Sequence, residues 1–171
     1  MERNREAEYR IGVSDLSGSL GSAIRTKGCL LLFCLQGRAI VSANLERRVF
    51  RRGDIAVIFP DTLFVVHGTG GDFRVRLIEI SSALTDEVIL PLSSVFFERI
   101  YNQPILPTTG EDRILSETWN AHIDHCAQCS AAKSARMMIR NQLQNLFLAM
   151  EVKLVFDAPP GNIESIPSSR R

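Results

Sequence analysis

Apolar and polar positions follow two different rhythms along this chain, and the change falls near residue 82. Before it, short runs rich in Val, Ile, Leu and Phe alternate with Gly, Asn and Asp, the pattern of strands joined by tight turns. Strands are predicted at about Gly28 to Gln36, Arg38 to Ala43, Leu45 to Arg51, Ile55 to Phe59, Leu63 to Val66 and Phe73 to Ile80. The breaks at Gly37, Asn44, Gly53-Asp54, Pro60-Asp61 and Gly68 to Gly71 are residues that accept positive φ or preset a turn. Connections this short join antiparallel neighbours, because a parallel crossover needs about a dozen residues. The array is therefore expected to close into a small barrel or to pack as a sandwich.

The last of these strands, FRVRLIEI, alternates strictly: Arg74 and Arg76 share a wetter face, Phe73, Val75, Leu77 and Glu79 the other. With Phe73 inward, Glu79 becomes either a pocket acid or a strand end reaching solvent, the commoner fate of a carboxylate.

After residue 82 the apolar period lengthens to that of helices. A short helix breaks at Pro91 and another spans about Ser94 to Tyr101, with Ser93 or Ser94 as N-cap. Pro104 and Pro107 impose an extended link. A helix then begins near Thr109, with Ile114, Leu115, Thr118, Trp119, Ile123 and Cys126 on one side. The last helix, roughly Ser134 to Phe156, carries the stripe Ile139, Leu143, Leu146, Met150 and Leu154. That stripe suits an antiparallel pair with the preceding helix, or a seam between two copies of the chain. The tail DAPPGNIESIPSSRR has no apolar period and reads as a linker. The expected organisation is one domain with a β part over 1–82, including an N-terminal arm, a helical part over 83–156, and a linker over 157–171.

A length of 171 residues fits a single core, and 20 Lys+Arg against 19 Asp+Glu give a net charge of +1. Attraction to a polyanion would thus have to be local. The longest apolar run, CLLLFCL, is far short of the roughly 20 residues of a membrane-spanning helix. MERNREAEYR lacks the apolar segment of a secretory signal, so a cytoplasmic location is expected. Cys29, Cys34, Cys126 and Cys129 are expected as free thiols, the first two filling a buried strand.

Candidate chemistry is sparse. His67 ends an apolar segment, but between Gly37 and Gly53 only Glu46 offers a ligating group, so a barrel metal is short of donors. No GxSxG motif or P-loop is present. In HIDHCAQC, His122, His125, Cys126 and Cys129 have helical spacings that share a face, yet one straight helix cannot surround an ion with four ligands. Segment ERRVFRRG holds four arginines within six residues, explained equally by an edge strand guarded against aggregation.

The succession GCLLLFCLQGRAIVSANLERRVFRRGDIAVIFPDTLFVVHG, then FRVRLIEIS, then QPILPTTGEDRIL and two long helices, resembles the N-terminal sensing and dimerisation domain of AraC-type transcription regulators. The resemblance spans about residues 10 to 156. It implies a cupin-like antiparallel β-barrel followed by a helical hairpin, and a small-molecule effector held in the barrel. It also implies a homodimer paired through the helices, and promoter DNA bound only by a separate helix-turn-helix domain that this chain lacks. On that reading the candidate ligand-binding residues are His67, Phe33, Phe59 and Glu79. The dimer interface would be Ile139, Leu143, Leu146, Met150 and Leu154, and no catalytic residue, cofactor, metal or membrane contact is expected. The rival is a small metal-dependent cupin enzyme, an isomerase or dioxygenase, using His67 with Glu46 or Glu79.

Overall fold

A computed structural model describes residues 7–156 of the chain, so the expected linker lies outside the described residues. Two antiparallel sheets face one another. The first contains β1 (Tyr9–Ser14), β3 (Cys29–Gln36), β6 (Ile55–Ile58), β8 (Arg74–Ile80) and β9 (Ile105–Leu106), in the order β1-β8-β3-β6-β9. The second contains β2 (Ala23–Ile24), β4 (Arg38–Ala43), β5 (Glu46–Arg51) and β7 (Phe64–Thr69), in the order β2-β7-β4-β5. Helices α1 (Ser82–Ile89), α2 (Ser94–Asn102), α3 (Gly110–Ala127) and α4 (Ala132–Glu151) follow, and α4 runs into a π-helical turn at Val152–Phe156. The expected mainly β domain with a C-terminal helical hairpin is the fold the chain adopts, its β part drawn as two facing sheets of the cupin-like jelly-roll kind. Among the described residues no helix is long and apolar enough to cross a membrane.

The run CLLLFCL is almost continuously apolar because both faces of β3 are covered. Leu30, Leu32 and Cys34 point between the sheets, where they meet Phe50, Phe64 and Phe73. Cys29, Leu31 and Phe33 point the other way, into a second core shared with Leu84, Phe96, Trp119 and Ile139 of the helices. β6 divides likewise, Ala56 and Ile58 towards the sandwich and Ile55 and Val57 towards the helices. Each such Leu or Ile contributes about 2 kcal/mol by leaving water. The same two-sidedness corrects the reading of β8. The face carrying Arg76 is not wet: it packs beneath α3, with Ile78 and Ile80 in the helical core.

Turn chemistry follows the sequence. Gly37, at φ 70, turns β3 into β4 where an added Cβ would meet the Phe73 backbone at 2.8 Å. Asn44 (φ 48) and Leu45 (φ 73) make the two-residue β4–β5 hairpin, and the Asn44 side chain donates to the Tyr101 carbonyl while accepting from the Leu63 amide. Ser81 and Ser93 cap α1 and α2 through the amides of Leu84 and Phe96.

Two expectations change. The N-terminal stretch read as an arm is built into the fold from Tyr9 onward, where β1 pairs with β8 over six residues. Glu8 adds an ion pair to Arg136 of α4. The proposed dimer stripe is also already occupied: Ile139, Leu143, Leu146 and Met150 are buried in the chain's own helical core and Leu154 packs against it. Ile139 and Leu143 are fully covered within one chain, while Leu146, Met150 and Leu154 border a cleft at its end. The spacing fitted both an intramolecular pair and an intermolecular seam, and packing onto the sheet is the outcome.

Candidate ligand-binding cleft

The extended link expected from Pro104 and Pro107 is stitched to the edge of the first sheet. Ile105 and Leu106 pair with Ala56 and Ile55, the Val57 amide donates to the Pro104 carbonyl at 2.8 Å, and the Thr108 amide donates to the Gly53 carbonyl at 3.2 Å. Gly110, at φ 54, then opens α3. The link, the first half of α3, the last turns of α4 and the π-helical turn enclose a cleft of about 580 Å³. Its floor and walls are apolar, formed by Ile55, Leu106, Leu115, Trp119, Leu146 and Met150.

Trp119 is the only tryptophan of the chain. Its indole N–H donates to the Gln142 carbonyl of α4 at 2.7 Å, and its ring stacks on Phe33 with centroids 5.6 Å apart. The polar handle being satisfied, the ring serves as a fixed apolar wall. Polar character is confined to a few groups, chiefly Asp112 in the first turn of α3 and Lys153 in the π-helical turn, an ion pair at 3.2 Å. Both side chains are substantially exposed, so the pair holds the rim together by less than about 1 kcal/mol and yields readily to a competing ion.

The residues singled out from the sequence are not brought together. Phe33 stands behind Trp119 and borders a separate polar pocket of about 70 Å³. Phe59 is half-buried in the helical core, in ring contact with Phe97 and Phe147. Glu79 pairs with Arg10 on the neighbouring strand at 2.8 Å. His67 is exposed on β7, its Nε2 2.9 Å from the Ser42 hydroxyl. Glu46 is tied to Arg48 at 2.7 Å. Among the described residues no three His, Cys, Asp or Glu side chains converge as a metal site, the His122 to Cys129 segment included. Burial pushes the Cys34 thiol up to about 11, with the nearby Asp54 charge adding to it, and burial raises Cys29 further, so neither is a nucleophilic thiolate near neutral pH.

The cleft residues had faint signals in the sequence. Leu106 between two prolines, a lone tryptophan and adjacent Ile114 and Leu115 on α3 were visible, but nothing local showed that the link, α3 and the end of α4 would meet.

No family profile matches the sequence, and no curated protein matches it. Solved structures of ToxT from Vibrio cholerae share the fold. An apo ToxT variant of strain SCE256 superposes with a TM-score of 0.58 at 9% identity, covering 89% of this chain and 59% of that one. Wild-type ToxT of the same strain bound to an unsaturated fatty acid gives 0.53 at 10% identity, covering 89% and 57%. ToxT of strain O395 bound to (E)-4-(8-methylnaphthalen-1-yl)but-3-enoic acid gives 0.50 at 14% identity, covering 86% and 58%. The chain thus spans less than two thirds of the structures it matches, and at these identities the likeness is one of fold.

Proposed function

We propose that this chain is the effector-sensing and dimerisation domain of an AraC-type transcription regulator, with the cleft beside Trp119 as its effector site. The observation that carries the reading is that cleft: about 580 Å³ of mostly apolar space, of a size that suits a small organic ligand, in a fold shared with ToxT. Its lining suits a long apolar body bearing one acidic group, the chemistry of the two ligands in the ToxT structures. Lys153 would take the acid in exchange for Asp112, while Leu106, Trp119 and Met150 cover the apolar part.

DNA contact belongs, on this reading, to a separate part of the regulator. The effector would act on the π-helical turn that leads out of α4, since Val152, Lys153 and Leu154 line the cleft. Homodimerisation is assigned to the outward face of α3, where Ile114 is 63% exposed, because the α4 stripe is buried.

Trp119 supplies the test. Titrating the chain with an unsaturated fatty acid should quench its fluorescence and raise the melting temperature, while sugars and nucleotides do neither. Ala149→Phe, which fills the cleft, should abolish both responses, and Lys153→Gln should weaken them for the acid but not for its methyl ester. An unchanged response in Ala149→Phe would place the ligand elsewhere and sink the assignment.

A further inference from the structure

The arginine-rich segment has no part in the cleft. In the β4–β5 pairing, Ala39 lies opposite Phe50, and both are buried in the sandwich with Val41. The alternate residues face outward: Arg38 opposite Arg51, Ile40 opposite Val49, and Arg47 two residues further along. Val65 of β7 continues the same outward face. Ile40 and Val49 are each 38% exposed. None of the residues on the outward side of β4, β5 and β7 is an aspartate or glutamate.

Arg38, Arg47 and Arg51 make no ion pair or side-chain hydrogen bond among the described residues, and Asp54 lies near Arg51 across the adjoining turn. Like charges directly opposite on a sheet face destabilise it. Guarding an exposed edge against aggregation accounts for Arg47 and Arg51 on the edge strand β5, but not for Arg38, which sits on the inner strand β4.

We propose that this face docks an acidic amphipathic helix of a partner protein. The apolar rung Ile40–Val49 lies two residues, or ~7 Å, from the Arg38–Arg51 rung on one side and from the Arg47 position on the other. A helix about 10 Å across, laid over the strands, seats its apolar stripe on Ile40 and Val49, with Val65 in the neighbouring row of Ser42 and Arg47. Carboxylates flanking that stripe then meet Arg38 and Arg51 on one side and Arg47 on the other. A nucleic-acid backbone would set phosphates against Ile40 and Val49 with no gain, which favours a protein partner. The small footprint suits a transient contact.

The test uses amide chemical-shift mapping of the whole chain with a synthetic helical peptide whose Leu stripe is flanked by Asp and Glu. Shifts should cluster on β4, β5 and β7, and the triple variant Arg38→Glu, Arg47→Glu, Arg51→Glu should bind at least about tenfold more weakly. Arg51→Glu alone should weaken binding, since it removes one cation of the Arg38–Arg51 rung. Should the triple variant not fold, Arg38→Gln with Arg51→Gln should still bind several-fold more weakly, and unchanged binding overturns the proposal. The proposal is overturned by no binding, by shifts elsewhere on the chain, by equal binding of a Lys/Arg version of the peptide, or by duplex DNA or phosphatidylglycerol vesicles occupying this face more tightly than the peptide.

Discussion

Arg76 of β8 and Asp124 of α3 form a two-point ion pair across the seam between sheet and helices, both guanidinium NH2 groups donating to the carboxylate. The arginine side chain is 10% exposed and the aspartate 47%, so the cation is the buried partner and the carboxylate reaches it from the rim. Beside this pair, Trp119 stacks on Phe33, one turn nearer the start of α3. Charge and ring together fix how α3 lies on the sheet, and with it one wall of the cleft.

Asp124→Ala should therefore destabilise the fold by about 3 kcal/mol, because it leaves a buried charge without its partner. Arg76→Met, which removes the buried charge itself, should cost less than about 1.5 kcal/mol. Urea unfolding of both variants checks this, and equal costs would contradict the buried-cation account.

Leu45 adopts φ 73 in the β4–β5 hairpin and is 83% exposed, so its side chain gains nothing from burial while its backbone sits where only glycine is unstrained. Leu45→Gly should raise stability by about 1 kcal/mol, read as a higher melting temperature. A loss of stability would mean that the leucine makes a contact outside a single chain.

Leu143→Ala should destabilise by about 3 kcal/mol and leave the oligomeric mass unchanged, because Leu143 is fully buried within one chain. On the proposed pairing through α3, Ile114→Glu should do the reverse, halving the mass measured by light scattering with little effect on the melting temperature. A monomeric, fully stable Leu143→Ala variant would restore the α4 seam.

Burial raises the Asp54 carboxyl above its ordinary value, against the opposing hydrogen bond from the Arg51 amide. A raised acid binds its proton more tightly in the folded state, so its contribution is fully present below the unfolded value and is lost as pH rises through the folded one. Asp54→Asn keeps an acceptor for the Arg51 amide and does not titrate. The stability of this variant relative to the parent should therefore grow in matched melts as pH rises from below the ordinary carboxylate range to well above it. A difference that shrinks over that range would reverse the sign assigned to the site.

Much of the β architecture was legible because turn residues punctuate it: Gly37, Asn44 and Gly53 fall where β3, β4 and β5 turn. The strand β1 was overlooked although YRIGVS alternates Tyr9, Ile11 and Val13 with Arg10, Gly12 and Ser14, because its partner β8 lies far along the chain and no hairpin turn joins the two. Ser93 declared itself as a cap through local chemistry, whereas the fate of Arg76 depended on Asp124, which lies 48 residues further along. The same limit applies to the site. His67 stood out for its place at the end of an apolar segment, yet the bulge that shifts the β4–β7 register between Ile40 and Val41 goes with a ring that meets Ser42 outside the sandwich. Leu106, Trp119 and Lys153 become a site only through the tertiary meeting of link and helices.

Because β3 and β6 belong to both hydrophobic cores, the domain has no internal plane along which to come apart. Peeling the helices away would bare Leu31 and Val57, and those residues share a backbone with Leu32 and Ile58, which hold the opposite sheet. Cooperativity is thus written into a party wall that includes β8 as well, with Ile78 and Ile80 facing the helices and Val75 the sandwich. A molecule seated among the helices tightens the far sheet by raising the cost of any opening of that wall, without touching the far sheet.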